Sequence, residues 1–516
     1  MRKIYLLFLI FFLLFFSENE AGDPWDEGLK VYSEIVSIID KNYPQKIDYE
    51  ELIYNTIRGA LLRLDPHSSF LDPKALASIR EDQAGKFYGL GITIQKIEER
   101  LVITSVIEGG PAWKKRLRAG DVITHIDGEP TRDLSAQEAV RKLRGAKGTE
   151  VKVTILRRGV EKPFEVSIVR EEIPYHSVNY YFMLNKDVGY ISLRNFAENT
   201  TKEFEEAVKE LKKAGMKSLI LDLRWNQGGS LQQAVSIADE FLEKGKLIVY
   251  TKGRRPESSQ EFYSEEDNQL ERIPLVVLIN SSSASASEIV AGALQDHDRA
   301  IIVGTPSWGK GLVQTIFYLS HNTALTLTTS KYYTPTGRSV QRDYTFLEDY
   351  FLYLERNDED LNLHEFKLTP KGRKVFAGGG IIPDIRVDSP SLPNIVGFLR
   401  LKGAFFDYAN KFLDDKNPLL IRYLRSKRIK KQDLFESGFE ITDEIWKDWI
   451  SFLKGLNIKF DEKETEKNKK WLVQELLYEI FSQADGFAEG AKYLSTFDPQ
   501  ILKGIEAIPK AKALLY

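Results

Sequence analysis

The 516-residue sequence predicts a mixed α/β, multidomain protein: an α/β core, a small β-rich module before it, and helical regions at both ends. Three observations carry this. From residue 188 onward, strand-like runs alternate with helical patterns, which implies a largely parallel sheet with crossover helices. Between about 86 and 172, short β-rich runs such as "GLGITIQ", "LVITSVI", "VKVTILRRG" and "FEVSIVR" are separated by glycine turns. Residues 26–85 and 391–516 instead repeat apolar residues at helical spacing, as in "GLKVYSEIVSIIDKNY" and "WLVQELLYEIF". A chain of this length is expected to hold about three domains.

Composition narrows the function. The net charge is −3, so no overall basic field points to nucleic acid. There are no cysteines, which excludes disulfides, cysteine nucleophiles and cysteine-ligated zinc. The histidines at 67, 125, 176, 297, 321 and 364 are scattered and form no H-E-x-x-H, so neither a metal nor a cofactor is expected. Met1-Arg2-Lys3 precedes an apolar run from Ile4 to Phe16, the pattern of an export signal. As a helix that run reaches only about 20 Å, short of a ~30 Å hydrocarbon core. A signal peptide over 1–21, cleaved near Ala21, and a periplasmic protein are expected; retention of the segment as an inner-membrane anchor is left open.

In chain order, helices are expected over 26–85, ending at the proline-bounded "DPHSSFLDP" (65–73). The β-rich module follows over 86–172, interrupted by helical patterns in "GPAWKKRL" and "SAQEAVRKLRG". The α/β core spans 173–390. Its "NTTKEFEEAVKELKKAG" reads as a helix, with Thr200 and Glu203 at capping-box spacing. "KSLILDLRW" and "PLVVLIN" read as buried strands. Residues 342–377, charged and aromatic, read as an insertion, because "GGGIIPDIRV" resumes sheet-like sequence after them. Nothing in the helical tail, 391–516, looks catalytic.

Chemistry concentrates where strands meet helices, the usual ligand edge of such sheets. "SSSASASEIVAGALQDH" (281–297) follows a buried strand, and its small side chains leave room for a substrate backbone. Ser285 stands at that junction, near the positive end of the coming helix; Ser285 and Glu288 also read as a plain capping box. A serine nucleophile needs a base. His297 lies at the far end of the same helix, about 18 Å away at ~1.5 Å per residue. Lys310 in "GTPSWGKGLVQ" follows the next strand and returns to the same edge, with Gly309 and Gly311 beside it and Gln314 four residues on to orient its amine. A base at pH 7 needs that lysine's pKa lowered by about three units, which burial can supply. "RWNQGGS" (224–230) places Gly228 and Gly229 at another strand end, where their N–H groups, with that of Ala286, can form an oxyanion hole. The residues alone leave Ser283, Ser285 and Ser287 open.

These segments resemble the carboxyl-terminal processing (tail-specific) proteases, Ser–Lys peptidases carrying a PDZ domain. "SSSASASEIVAGALQDHDRAIIVGTPSWGKGLVQ" is similar to the family's S-A-S-A-S-E followed by G-K-G-x-x-Q, with the serine and lysine 25 residues apart (285 to 310). "LDPHSSFLDP", "LDLRWNQGG", "YYTPTGRSVQ" and "GGGIIPDI" agree, and the resemblance covers roughly 26–387. It implies a crotonase/ClpP-like α/β protease core, with Ser285 as nucleophile, Lys310 as general base and Gln314 as its orienter. Ser282, Thr305 and Trp308 depart from the family pattern, and the last two are expected to alter the shape of the substrate pocket.

The 86–172 module resembles a PDZ domain. "YGLGITI" (88–94) looks like its carboxylate-binding loop, with the N–H groups of Leu90, Gly91 and Ile92 holding a chain terminus and the peptide adding to a sheet edge. Arg144, in "LRGAKG", stands where the family has a residue coupling the module to the active site, and is a regulatory candidate. The resemblance implies an exported serine endopeptidase that captures unfolded or flexible protein C-termini with apolar tails and cleaves near them through an acyl-enzyme, without cofactor. The alternatives are a PDZ-type peptide-binding adaptor with a non-proteolytic crotonase-like core, and a serine esterase, which lacks a histidine base. A homodimer through the N-terminal helices is left open.

Overall fold

Why the "LIL" (219–221) and "VVLI" (276–279) runs are apolar at every position follows from the sheet they form. A computed structural model describes residues 24–516 apart from 98, 108, 158–159, 267–269, 346–349, 351–364 and 457–459. Six strands run in the order Val178–Met183, Val188–Leu193, Ser218–Asp222, Leu275–Ile279, Ile301–Gly304 and Ile385–Arg386. The first pair is antiparallel and the rest are parallel. Alternate residues serve opposite faces. Leu219, Leu221, Leu275, Val277 and Ile279 meet the helices Thr200–Lys213, Leu231–Asp239 and Ala286–Asp296 on one side. Ile220, Val276 and Leu278 meet Ile501, Ala507 and Ala511 of the C-terminal helix Pro499–Ala513 on the other. With both faces covered, the middle of each of the two strands Ser218–Asp222 and Leu275–Ile279 is apolar, and the buried polar residue Asp222 stands at a strand end, where it accepts from Tyr190.

The Thr200–Lys213 helix starts differently from its expected capping box. Asn199 is its N-cap, and Thr200, already in the first turn, places its hydroxyl oxygen 2.8 Å from Ala197 O and 2.7 Å from Ser177 Oγ. Glu203 turns outward to accept from the Val178 N–H at 3.0 Å and lies 2.9 Å from His176 Nδ1. A partner brought in by the neighbouring strand has displaced the local one.

A second sheet stands beside the first. Its long hairpin, Leu312–Tyr318 with Ala324–Tyr333, pairs also with Ser69–Leu71 and Leu247–Gly253. The "DPHSSFL" turn is thereby fastened onto the core. The β-rich module forms its own sheet, ordered Ile92–Ile97, Arg100–Val106, Val122–Ile126, Glu150–Leu156 and Phe164–Val169, around a separate apolar core. Its two ends are joined by one antiparallel pair, Lys86–Gly89 with Glu171–Pro174.

The helical tail has two parts. Helices from Asn394–Leu401 to Phe487–Ser495 bury an aromatic core around Trp449, Tyr408, Phe412 and Phe481. That bundle also touches the β-rich module: Phe406 packs on Ile97 and Val102, and Arg100 pairs with Asp407 at 3.1 Å. The final helix is the sheet cover already described. The signal segment expected over 1–21 and half of the insertion expected over 342–377 (346–349 and 351–364) lie outside the described residues. No described helix is long and apolar enough to cross a membrane.

Candidate active site

Ser285 follows the Leu275–Ile279 strand and caps the helix Ala286–Asp296 with φ 56° and ψ −112°. This is a strained conformation for a residue with a Cβ, of the kind held where function requires it. What holds it is Glu288. Its buried carboxylate accepts from the N–H groups of Ser285 (2.8 Å), Gly309 (2.6 Å) and Lys310 (2.9 Å) and from Ser307 Oγ (2.6 Å). One side chain thus fastens the serine turn to the lysine loop. Burial lifts the Glu288 carboxyl to about 7 against the pull of those four donors. Tyr332 adds a second fastening: its hydroxyl donates to Lys310 O at 2.7 Å and lies 3.3 Å from Ser285 O.

The geometry distinguishes the serines that the sequence leaves open. Ser283 and Ser287 are fully buried and donate to the carbonyls of Leu223 and Asn226, both at 2.8 Å. Ser285 is half-buried and its hydroxyl makes no capping hydrogen bond; the Glu288 N–H donates instead to the Ser285 carbonyl. Of the three, Ser285 alone lines the cleft, a space of about 620 Å³ that also takes in Gly229, Ala286, Lys310 and Gln314.

Lys310 is half-buried, and among the described residues its Nζ makes no hydrogen bond or ion pair. Burial holds its amine below the ordinary 10.5, with the charges of Glu288 and Asp65 working the other way. No direct hydrogen bond joins it to the Ser285 hydroxyl. Gln314 does not bond the amine either; its Nε2 donates to Thr328 Oγ1 at 3.3 Å. Gly309 and Gly311 admit the segment around Gln341: a Cβ on Gly311 would lie 2.9 Å from Gln341 N. A lysine acts as a base only when its amine is neutral, so if Lys310 fills the role expected of it, cleavage rises with pH, with a pH–rate midpoint below 10.5.

The expected oxyanion hole needs one correction. The Gly228 N–H donates to Asn226 Oδ1 at 2.9 Å, because Asn226 closes the turn over it, so it does not face the cleft. Gly228 supplies space instead: a Cβ there would lie 2.8 Å from Ala284 O and 2.9 Å from Ser285 Cβ. The N–H groups of Gly229 and Ala286 have no hydrogen-bond partner among the described residues, and both residues line the cleft. Trp308 is not among the cleft-lining residues; it packs on Arg342 and Tyr350.

Asp65 and His67 are neighbours of the site that sequence reasoning missed. Asp65 is buried; burial pushes its carboxyl up, but hydrogen bonds from Ser68, His67 and Thr328 hold it below the ordinary range. His67 is driven down to about 4, first by burial and then by the Lys310 charge, so it is neutral at pH 7. Their only signal was position inside the "LDPHSSFLDP" motif.

In the β-rich module, the N–H groups of Leu90 and Gly91 have no partner among the described residues, while their carbonyls accept from Ala112 and Ile107. Ile92 begins the strand Ile92–Ile97, an edge of its sheet, as an added peptide strand requires. Arg144 ends the helix Ala136–Leu143. Its guanidinium lies over Phe87 at 4.1 Å and pairs with Glu81 at 3.3 Å. Glu81 belongs to the helix Pro73–Ala84, whose Ile79 and Gln83 line the cleft. One side chain therefore joins the module to a wall of the site.

Residues 187–348 match peptidase family S41, and residues 102–157 match a PDZ domain. The chain is 43% identical over 314 residues to the carboxy-terminal-processing protease of Bartonella bacilliformis, covering 60% of this chain and 72% of that protein. It is 33% identical over 327 residues to the carboxy-terminal processing protease CtpA of Bacillus subtilis, covering 63% and 68%. Among solved structures, a photosystem II D1 C-terminal processing protease is similar at 27% identity, covering 74% of this chain and 92% of that one, with a TM-score of 0.39.

Proposed function

This chain belongs to peptidase family S41, the carboxy-terminal processing proteases, and from that premise we propose how its residues divide the work. The protein is a serine-type peptidase that cleaves near protein C-termini and carries a PDZ domain that binds peptide ends. The adaptor alternative, with a non-proteolytic core, is not favoured, since relatives named as processing proteases match most of the chain. Ser285 is the nucleophile. Its proton passes to neutral Lys310 as Oγ bonds to the scissile carbonyl carbon, and the resulting oxyanion is held by the N–H groups of Gly229 and Ala286. Lys310 then returns the proton to the leaving amine as the C–N bond breaks. It next takes a proton from the water that releases the acyl group. Hydroxyl and amine must come within hydrogen-bonding reach when substrate binds.

The observation that carries this reading is the single strained serine, Ser285, which shares a cleft with a half-buried lysine whose amine has no partner among the described residues. Leu90, Gly91 and Ile92 take the substrate's terminal carboxylate, and apolar tails suit the adjoining groove. Arg144 relays occupancy of the module to the cleft. The export pattern at Met1–Phe16 supports action in the periplasm, either free or held at the inner membrane. Val31, Ile35 and Ile38 are exposed along one helix, which supports a homodimer through the N-terminal helices.

A pair of unfolded peptides differing only at the C-terminus tests the capture step. Hydrogen bonds to a charged group are worth about 1.5–3 kcal/mol, so an amidated tail should be cleaved with kcat/KM roughly 10- to 100-fold lower. Equal rates for the acid and the amide would refute carboxylate capture.

A further inference from the structure

Resting on the Ser–Lys reading, the structure points to a further element of the same site. We propose that Thr328, held by Asp65, is a positioning residue that fixes the side-chain amide of Gln314 so that its carbonyl oxygen is the end left free for the Lys310 amine.

The argument is a count of protons. Asp65 Oδ1 accepts from the N–H groups of His67 and Ser68, both at 2.8 Å, and from Thr328 Oγ1 at 3.0 Å. Its Oδ2 accepts from Ser68 Oγ at 2.6 Å. The carboxyl is held below its ordinary range, so at neutral pH it only accepts. Thr328 has one hydroxyl proton, and Asp65 receives it. Thr328 Oγ1 is then left as an acceptor, and the group it meets is Gln314, at 3.3 Å. An amide offers a donor at one end and an acceptor at the other. Nε2 must therefore face Thr328, and Oε1 remains free.

The backbone supports the same arrangement. Gln314 and Thr328 are direct cross-strand partners in the hairpin, next to an irregularity in register at Val313/Gln314 that re-aims the side chain. The Thr328 N–H donates to Ser68 Oγ at 3.1 Å, so the "DPHSS" turn grips this residue twice. The orientation matters to the base. An amide oxygen facing Lys310 accepts one of its N–H protons and leaves the nitrogen lone pair for the Ser285 proton. A flipped amide would present N–H to that lone pair and compete with the serine for it. Gln314 lines the cleft, and among the described residues its amide makes no hydrogen bond other than the one to Thr328.

A double-mutant cycle on steady-state peptide cleavage tests this. Thr328→Val keeps the shape and removes the acceptor; kcat is expected to fall about 10- to 100-fold with KM unchanged, as for loss of part of a proton-transfer step. Thr328→Ser should restore it. Gln314→Ala should show a similar loss, and Thr328→Val combined with Gln314→Ala should be no worse than Gln314→Ala alone. If Thr328→Val does not fold, Thr328→Ala takes its place. Wild-type kcat in the folded variant, no rescue by Ser, or losses that multiply in the double variant would each overturn the proposal. Lys310→Ala serves as the control. If it stays active, the catalytic reading itself falls; if it is dead while Thr328→Val is unimpaired, only the positioning role falls.

Discussion

Purified Ser285→Ala and Lys310→Met are each expected to cleave an unfolded, apolar-tailed protein at least about 10⁴-fold more slowly than the intact enzyme, the scale of removing one member of a catalytic set. Neither should unfold. The Ser285 hydroxyl makes no capping bond, so deleting it removes no such support from the fold, and alanine adopts the same backbone at a similar strain. Lys310 goes further. Its amine is largely withdrawn from water, with no hydrogen bond or ion pair among the described residues, and burial already works against its charge. A methionine fills the same volume without that penalty. Lys310→Met should therefore match or exceed the wild-type melting temperature while losing activity, the opposed pair of effects expected where a site is kept at the expense of stability. Ser283→Ala and Ser287→Ala should behave in reverse. Each removes a buried hydrogen bond, to the carbonyl of Leu223 or Asn226, and should lower stability by about 0.5–1.5 kcal/mol while the folded fraction still cleaves; Ser283→Ala also takes the acceptor from the Asn280 N–H. Thermal melts beside initial rates check all four variants. Substantial cleavage by Ser285→Ala would remove the nucleophile assignment.

That contrast marks how far the sequence could be read. The apolar runs "LIL" (219–221) and "VVLI" (276–279) announce buried strands, because the middle of a strand covered on both faces packs against apolar side chains on each side. The long Ser–Lys motif pointed to residues that the structure brings to one cleft. Choosing among the serines from the residues alone was not possible, since what commits Ser283 is a carbonyl 60 residues away. Asp65 was equally hidden: its bond to Thr328 spans 263 residues. Gly228 read as an oxyanion donor because adjacent glycines can aim N–H groups outward; that Asn226 would claim one of them depends on how the turn closes. The tail from 391 to 516 reads as helical, but periodicity does not say what any one of its helices packs against; the last runs over Pro499–Ala513. In the structure it covers the second side of the central sheet.

Arg338→Ala is expected to lower unfolding stability by about 3–5 kcal/mol, the range for breaking a fully buried ion pair from one side. Arg338 and Asp296 are both wholly buried, with 2.8 Å between Nη2 and Oδ1. The guanidinium also donates to Gln295 Oε1 at 2.7 Å and to Phe376 O at 2.9 Å, and the second Asp296 oxygen takes the N–H and hydroxyl of Thr336. Asp296 is the last residue of the helix that begins beside Ser285. A carboxylate there opposes the helix dipole, which makes it dependent on an adjacent cation. Removing the arginine leaves that charge in a dry site with two further acceptors unmet. Lysine should recover only part of the loss, because one ammonium cannot reproduce a planar fork reaching three partners. Adding Asp296→Asn to Arg338→Ala should regain part of the stability, since the stranded charge is then gone. Urea denaturation followed by tryptophan fluorescence measures the midpoints. A midpoint for Arg338→Ala within error of wild type would mean that this pair does not anchor the far end of the Ser285 helix.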